Sequence, residues 1–387
     1  MSHTIYLDNA SGTRLLDEVF EEMRPFFTGE YGNPSSIHTA GATAKAAVEQ
    51  ARERVASLVG SKSEELYFMS CGTEANNTAV IGAARASAKK GRHIVVSSIE
   101  HASVANAARA LEKDGWDVTV IPADSNGFVD PGDVTRAVRD DTTLVSVIHA
   151  SNEIGTVEPL KDIATAAREK GVPFHTDAIQ TAGVKPVDVD DLGVDMLTLS
   201  ASSFYGPKGA AALYVRKGVR FHPILHGGVQ ERGRRPGTEN VPAIVGFGKA
   251  AEIARRDMDA RNARIIPLRN RLMSGLESAI PKLTVNGDRI SRLPGNLHVS
   301  IEAIEGESMV YSLAKKGIMA ASGSSCADKT LKSSPVLAAI GVDPALANAS
   351  LLFTLGIDTT ADDIDVVLDV MPPIVERLRA MSPLWEG

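Results

Sequence analysis

The hydrophobic positions between residues 65 and 216 fall into short runs, separated mostly by longer Ala-rich segments with a helical repeat. β-Branched runs that alternate with amphipathic helical segments predict an α/β lobe on a mainly parallel seven-stranded sheet. In such a sheet, functional groups lie on the loops that follow the carboxyl ends of the strands. The runs are ELYFMS, HIVVSS, DVTVIPA, TLVSVIHA, PFHTDA, MLTLSA and AAALYV.

A second pattern begins after the Gly-rich stretch HGGVQERGRRPGTEN at 226–240. A long charged helical segment leads from there into a smaller α+β domain, whose strands include NLHVSIEAI and LLFTLG. We assign residues 16–257 to the large domain, and residues 1–15 with 258–387 to the small one. No low-complexity linker separates them, which predicts tight packing around a shared cleft. Pro372 and Pro373 predict a break in the terminal helix.

Charge and composition exclude several classes of protein. The formal net charge of −7, without long runs of like charge, argues against direct binding of nucleic acid. The start, MSHTIYLDNASGT, has no leader-like pattern, and no stretch is apolar enough for a membrane span. We therefore expect a soluble, cytoplasmic protein. The two cysteines, Cys71 and Cys326, are too few for a disulfide framework or a four-cysteine metal site.

Ordered motifs along nearly the whole chain resemble those of the cysteine desulfurase family. They run from YLDNASGT and GNPSSIHTAG near the start to GSSCADKTLKSSPVL near the end. The resemblance implies a fold type I, class V aminotransferase-like enzyme that uses pyridoxal 5'-phosphate (PLP). It also implies a homodimer that takes sulfur from L-cysteine, leaves alanine, and passes a persulfide to an iron-sulfur scaffold or a tRNA-thiolation protein. The large domain would then bind PLP, and the small domain would carry the Cys326 loop.

The resemblance also assigns the cofactor-binding residues. Asp177 in HTDAIQ matches the aspartate that pairs with the pyridine nitrogen, since a protonated ring is the electron sink for a carbanion. His101 in IEHASV matches the histidine that stacks on the ring and shuttles protons, and is a catalytic candidate. The structural alternatives are that Asp177 ends a strand or caps a helix, and that His101 is an N-terminal helix residue with no special role. For Asn152 and Gln180 the alternative is a loop amide that caps backbone. The other candidates are Asn152 and Gln180 at the phenolic oxygen, Gly72, Thr73 and Ser200 at the phosphate, and Thr238 from the partner subunit.

One departure from the family pattern removes the lysine that binds the cofactor. The family continues from the strand near residue 200 as Ser-Gly-His-Lys, then an aromatic residue and Gly-Pro-Lys-Gly. Here SASSFYGPKG places Ser202 at the histidine position and Ser203 at the lysine position. A hydroxyl cannot form a Schiff base, so conventional desulfuration should fall by orders of magnitude, with PLP bound noncovalently or absent. Lys208 has its own family counterpart and is interpreted as structural.

A second departure concerns the substrate carboxylate. The family arginine that pairs with this group is replaced by Leu352 in LLFTLG. A single loss is compatible with an engineered lysine-to-serine trap, made to catch a substrate complex. Two unrelated losses in one pocket favour natural divergence.

The cysteines are interpreted separately. Cys326 in SGSSCADKT matches the persulfide cysteine of the family, and its small Gly and Ser neighbours favour an accessible thiol for sulfur transfer or for ligating an iron-sulfur cluster. The alternative is a buried, inert thiol. Cys71 replaces a family glycine beside the phosphate, where it either reacts or packs, and we favour packing.

Three hypotheses remain at this point. The leading one is a desulfurase-like protein for iron-sulfur cluster assembly or tRNA thiolation, in which Cys326 carries sulfur or binds a cluster. The second is a non-catalytic dimer that docks an iron-sulfur scaffold. The third is a PLP enzyme with an altered substrate or another base, such as His101.

Overall fold

A seven-stranded sheet forms the centre of the larger lobe in a computed structural model, which describes residues 4–323 and 334–385. The strand order is β2-β8-β7-β6-β5-β3-β4, and only β8 runs antiparallel to its neighbours. All seven runs predicted from the sequence form strands of this sheet, so the predicted mainly parallel sheet is confirmed. The strands are β2 (Leu66–Met69), β3 (His93–Ser97), β4 (Asp117–Ile121), β5 (Thr142–Ser146), β6 (Phe174–Asp177), β7 (Met196–Ser200) and β8 (Ala211–Val215).

Helices cover both faces of this sheet. Side chains alternate between the two faces along each strand, and apolar side chains on both faces have to be buried. In β3, Val95 joins the core on one face, while Ile94 and Val96 join the core on the other. The helices that precede residue 240 are α1 (Asp17–Met23), α2 (Pro25–Thr28), α3 (Thr39–Leu58), α4 (Gly72–Asn77), α5 (Ala83–Ala86), α6 (Ala102–Lys113), α7 (Pro131–Ala137), α8 (Leu160–Glu169) and α9 (Gln230–Gly233). A π-helical turn (Thr78–Gly82) joins α4 to α5, and 3-10 turns lie at Ser63–Glu65 and Ala201–Ser203.

A single long helix, α10 (Val241–Ala279), takes part in both hydrophobic cores. Its first half, including Phe247, packs in the core beneath the large sheet, and its second half, including Leu272, packs in the other core. The domain boundary predicted at residues 257 and 258 falls within this helix and stays a prediction. Despite its 39 residues, α10 is too polar to cross a bilayer, and no other helix in the described ranges is suited to do so.

The smaller lobe combines residues from both ends of the chain. Its four-stranded antiparallel sheet has the order β12-β13-β10-β9, while β1 pairs with β11 in parallel. Leu7 from the start of the chain is fully buried beside Val299 and Phe353. The elements are β1 (Ile5–Tyr6), β9 (Leu283–Val285), β10 (Asn296–Ile301), α11 (Gly306–Ala314), β11 (Ile318–Met319), β12 (Ala321–Ser322), α12 (Pro335–Ala339), α13 (Pro344–Asn348), β13 (Ser350–Thr354) and α14 (Ala361–Ala380).

The predicted break of the terminal helix is wrong. Helix α14 continues through Pro372 and Pro373 to Ala380. A capping box fixes its start, and its apolar face, which includes Met371 and Ile374, is buried in the small-lobe core. Interior proline costs a helix about 3 kcal/mol, and the tertiary packing of this face offsets that cost.

Candidate active site

The predicted site residues lie on loops at the carboxyl edge of the large sheet. His101 follows β3, Asn152 follows β5, Asp177 ends β6 and Ser200 ends β7. These strands are parallel neighbours, so their carboxyl ends lie at the same edge. The structure therefore brings these candidates to one side of the sheet.

Asp177 is the most deeply buried acid at this edge, with 3% of its surface exposed. Its Oδ2 accepts a hydrogen bond from Asn76 Nδ2 at 2.6 Å, and its Oδ1 accepts one from the Ile179 backbone N–H at 2.9 Å. Burial raises the pKa of Asp177, while these donors and the nearby His101 act in the opposite direction. Both donors stabilise the ionised form, which is the form that a protonated pyridine nitrogen would pair with.

His101 stands immediately before α6, as its N-cap residue, and its side chain is exposed. Its Nδ1 accepts a hydrogen bond from the Ser103 backbone N–H at 3.1 Å and lies 2.7 Å from Ser103 Oγ. The imidazole is therefore anchored through one nitrogen, and the rest of the ring is open to a ligand.

The start of α4 has the features of a phosphate site. Its N-cap residue, Cys71, makes no capping hydrogen bond through its side chain, so the side chain does not compete for the first helical N–H groups. Gly72 leaves room for the Ile179 side chain, because a Cβ at this position would lie 2.3 Å from Ile179 Cδ1, which would then have to move. Thr73 is exposed next to it, and Ser200 is buried nearby, with its Cβ 3.9 Å from the same point. A dianion suits such a helix start.

The favoured packing of Cys71 is not what the structure shows. Cys71 is exposed as a free thiol, with Ser70 Oγ 3.8 Å from its Sγ. Its backbone is extended, with φ −162° and ψ 166°, which places it outside the helix rather than on a face that packs.

The turn after β7 holds Ser203 without any amine at the family lysine position. Ser203 Oγ donates to the Ser200 carbonyl at 2.8 Å, and the Ser200 and Ser202 hydroxyls lie 3.2 Å apart. Thr13 N–H and Oγ1 donate to the Ser202 carbonyl at 3.1 and 3.0 Å. Tyr205 has a left-handed φ of 70°, and its N–H donates to Thr13 Oγ1 at 2.7 Å. The backbone of the turn is thus fixed by the N-terminal segment, independently of the residue at 203.

A cavity of about 70 Å³ lies beside this turn, between the lobes. Its lining includes Ser203, Gln180, Asn9 and Arg261. Gln180 Nε2 donates to the Ala10 carbonyl at 3.3 Å, which holds the side-chain amide at the cavity wall. Lys208, by contrast, is exposed. It lies near Gly12, and its Cε is 3.7 Å from the point that a Cβ on Gly12 would occupy.

Leu352 occupies an inner strand of the small sheet. It is 6% exposed and lies opposite His298 in β10 and Ala321 in β12. An apolar side chain fits this setting, and the position presents no charge to a substrate carboxylate.

Asn152 and its neighbour Glu153 connect the site to the small lobe. Asn152 is partly buried, and its side-chain amide has no hydrogen-bond partner within the described ranges. Glu153 accepts a hydrogen bond from Ser334, and burial raises its pKa to about 7, although that bond acts in the opposite direction. Glu153 was not predicted from the sequence, in which its position in the SNEIG motif was the only signal.

Thr238 is exposed on the loop before α10. Two ion pairs hold this loop. The buried Arg52 binds Glu231 with two contacts of 2.7 Å, and Arg235 lies 2.9 Å from Glu74. The predicted contribution of Thr238 to a partner subunit stays a prediction.

The persulfide candidate, Cys326, lies outside the described residues. Within the ranges 4–323 and 334–385, no cluster of three or more His, Cys, Asp or Glu side chains is arranged to hold a metal ion. The predicted cluster ligation therefore depends on Cys326 alone and stays a prediction.

Asn76 and Ser103 are further site residues that the sequence analysis did not select. Both are buried, and both contact residues that were selected. Their signal was their place inside the CGTEANN and IEHASV motifs. Asn76 and Ser103 thus lie beside Asp177, a buried acid, and near the start of α4, which has no side-chain cap. The acid fits the ring nitrogen of a phosphorylated pyridine, and the helix start fits its phosphate.

Comparison with known proteins agrees with this geometry. The family described as "Aminotransferase class-V" matches residues 5–367. Cysteine desulfurase IscS of Dictyoglomus turgidum is 47% identical over 383 residues, covering 99% of this chain and 97% of the relative. Cysteine desulfurase IscS of Methanosarcina thermophila is 48% identical over 380 residues, covering 98% and 94%.

Solved structures agree as well. A NifS-like protein superposes with a TM-score of 0.91 at 36% identity, over 97% of this chain and 100% of that chain. A NifS-like protein from Rickettsia africae superposes with a TM-score of 0.88 at 28% identity, over 97% and 100%. The predicted fold type I architecture is confirmed, and the chain belongs to the class-V aminotransferase family, among the relatives of the cysteine desulfurases.

Proposed function

We propose that this protein mobilises sulfur for iron-sulfur cluster assembly or tRNA thiolation, with Cys326 as the sulfur carrier, and that it lacks conventional turnover of free L-cysteine. The observation that carries the proposal is Ser203, whose hydroxyl donates to the Ser200 carbonyl where the family has its lysine. The relatives named cysteine desulfurase support the link to sulfur. The retained Asp177 supports a site that still takes the cofactor.

The family implies PLP, and the residues of this site fit it. Asp177 would pair with the pyridine nitrogen, and the N–H groups at the start of α4, with Thr73 and Ser200, would hold the phosphate. Asn152 and Gln180 would face the phenolic oxygen. When bound, PLP supplies an electron sink. Because no amine stands at position 203, we propose noncovalent binding.

Two losses argue against conventional desulfuration. Ser203 provides neither a covalent link to the cofactor nor a base for an α-proton. Leu352 is buried and apolar, so it gives a substrate carboxylate no bidentate partner. The loss at position 352 affects substrate binding, and the loss at position 203 affects proton removal. A single compensating residue would not restore both steps.

Cys326 carries the chemistry that remains in this proposal. Its thiolate would attack the terminal sulfur of a donor persulfide, and the donor would leave as a thiolate. The S–S bond of the donor breaks as a new S–S bond forms on Cys326, so no external oxidant is required. As a thiolate, Cys326 could instead ligate iron of a cluster in transit.

We further propose that the protein acts as a homodimer that docks an iron-sulfur scaffold or a tRNA-thiolation protein. The loop that carries Thr238 supports this arrangement. The Arg52–Glu231 ion pair holds the loop in place, and the Thr238 side chain is exposed, where a second subunit could contact it. Sedimentation of the purified chain measures the dimer directly.

Sulfur transfer tests the central claim. The purified protein is incubated with a ³⁵S-labelled low-molecular-weight persulfide, desalted, and assayed for label on the protein and on an added scaffold. Cys326→Ala should abolish labelling, whereas the matched variant Cys71→Ala should retain it. Full transfer by Cys326→Ala would overturn the carrier role, and scaffold binding by that variant without any transfer in the native protein would favour the docking hypothesis. Steady release of alanine from L-cysteine would restore conventional desulfuration.

A further inference from the structure

A chain of buried hydrogen bonds connects Asp177 to His101. Asn76, which has no exposed surface, donates through Nδ2 to Asp177 Oδ2 at 2.6 Å and to Ser103 Oγ at 2.8 Å. Ser103 Oγ lies 2.7 Å from His101 Nδ1. Two residues outside the cofactor contacts thus join the acid at one end of the site to the histidine at the other.

The direction of each hydrogen bond in this chain is fixed by chemistry. An ionised carboxylate only accepts, so Asn76 must present its NH₂ group to Asp177. The second hydrogen of that NH₂ group goes to Ser103 Oγ, which leaves the Ser103 hydroxyl hydrogen free to donate to His101 Nδ1. The Ser103 backbone N–H also donates to Nδ1, at 3.1 Å, and a backbone N–H cannot reverse its role.

From this geometry we infer that Asn76 and Ser103 are positioning residues that hold neutral His101 as the Nε2–H tautomer. The hydroxyl and the backbone N–H of Ser103 both donate to Nδ1. A hydrogen on Nδ1 would point at the hydrogen of that backbone N–H at the start of α6, which is unfavourable. The neutral imidazole therefore carries its hydrogen on Nε2, the nitrogen without an anchor. The inference rests on the proposed function only in assuming that His101 faces a bound ligand.

The tautomer determines what His101 can do. An Nε2–H group donates a hydrogen bond, but it has no lone pair with which to take a proton. The only lone pair of the ring is on Nδ1, which is directed at Ser103. His101 is therefore a hydrogen-bond donor and stacking group for the ligand, and it does not substitute for the missing lysine as a base.

Histidine NMR of the cofactor-free, full-length protein measures the tautomer directly. Selective ¹⁵N and ¹³C labelling of histidine gives a distinct pattern for Nδ1–H and Nε2–H rings, and His101→Gln identifies the signal. We expect the neutral His101 signal to show Nε2–H. A neutral Nδ1–H ring at this position would overturn the inference.

Paired variants test the positioning roles. In Asn76→Asp, the Ser103 hydroxyl can donate to the new carboxylate, and its oxygen then becomes an acceptor for a hydrogen on Nδ1. The backbone N–H at 103 still donates to Nδ1, so Nε2–H should remain the major tautomer while a minor Nδ1–H population becomes detectable. Noncovalent PLP affinity, measured by fluorescence titration, should fall by about tenfold, because a charge-assisted hydrogen bond is lost. The matched control is Asn106→Asp, at an exposed position of α6, the helix that carries Ser103, and it should leave both readouts unchanged within about twofold.

Ser103→Ala keeps the inference testable if Asn76→Asp fails to fold. The backbone N–H at 103 remains, so the Nε2–H tautomer should persist, while loss of one neutral hydrogen bond should weaken PLP binding by about threefold to tenfold. Unchanged PLP affinity in both Asn76→Asp and Ser103→Ala, together with an unchanged tautomer in Asn76→Asp, would remove the positioning role. None of these readouts requires sulfur transfer, so failure of Cys326 to carry sulfur would leave the inference standing, and its own failure would leave the sulfur proposal untouched.

Discussion

The two halves of the site differ in what their side chains contact. In the first half, Asp177 and His101 are connected to each other through the buried Asn76 and Ser103. In the second half, the Ser203 hydroxyl donates to the Ser200 carbonyl, and the apolar Leu352 lies on a strand between two others. In the proposed function, the first half binds the cofactor, and the second half lacks the groups that would react with it.

The difference shows that the shape and the chemistry of this site are separable. The turn that carries Ser203 is held by backbone hydrogen bonds from Thr13, so replacing its side chain leaves the turn intact. A buried acid such as Asp177 carries a desolvation cost. The buried Asn76 Oδ1 beside it has no hydrogen-bond partner among the described residues, which adds to that cost. Keeping such groups without a ligand would be unfavourable, which supports continued cofactor binding.

The largest expected effect is a gain produced by Ser203→Lys. The turn geometry is already fixed, and the cavity of about 70 Å³ beside Ser203 offers space for a longer side chain. PLP should become covalently attached, with affinity at least about 100-fold higher, because the covalent bond adds to the existing contacts. Mass spectrometry after borohydride reduction measures attachment at position 203.

The matched control for this gain is Ser202→Lys, which introduces the same side chain one residue earlier. It should bind PLP no more tightly than the native chain, since the 3-10 turn directs successive residues apart. Equal covalent attachment in both variants would show that the first half of the site, rather than the turn, determines where the cofactor reacts.

Most of the fold could be predicted from the sequence, because it depends on local periodicity. All seven strands of the large sheet were visible as apolar runs, and parallel strands necessarily bring their following loops to one edge. The continuity of α14 could not be predicted, since it depends on a buried face formed with distant residues. The same is true of Asn76 and Ser103, whose role arises only where α4 and α6 approach Asp177.

The next effect in size tests the acid of the first half. Asp177→Asn should weaken noncovalent PLP binding by about 10-fold to 100-fold, since a neutral amide cannot pair with a protonated pyridine nitrogen. The control is Asp195→Asn, at the opposite edge of the same sheet, where Asp195 Oδ2 accepts from the Phe174 N–H at 3.0 Å. Fluorescence titration should show near-native affinity for the control. Equal losses in both would point to a general loss of structure.

A pH dependence distinguishes the buried acids that support the first half. Burial raises the pKa of Glu100 to about 8, although Ser97 Oγ at 2.5 Å and Ile148 N–H at 2.7 Å donate to it. Folded protein then retains a proton that unfolded protein loses above about pH 4.5, so the free energy of unfolding should fall as pH rises from about 4.5 to 8. Glu158, with its pKa also raised to about 8 by burial, acts in the same direction.

Glu100→Gln isolates this contribution, because the amide is neutral at every pH. Urea unfolding at pH 5.5 and at pH 8 should show a smaller loss of stability for the variant than for the native chain, by on the order of 1 kcal/mol. A native free energy of unfolding that rises over this interval would contradict the raised pKa values. The exposed variant Glu112→Gln on α6 serves as the control for loss of a carboxylate.

The smallest expected effect concerns Cys71, where the phosphate site and the helix cap compete for the same N–H groups. Cys71 precedes α4 with extended backbone and no capping bond from its side chain. In Cys71→Ser, the hydroxyl would accept from an N–H of the first turn and stabilise the cofactor-free chain by about 0.5–1 kcal/mol. The same hydroxyl would compete with the phosphate, so PLP affinity should fall by about twofold to threefold. Thermal unfolding and PLP titration of Cys71→Ser beside Cys71→Ala separate these effects, since alanine cannot cap. If serine stabilises the helix without weakening PLP binding, the phosphate does not use the start of α4.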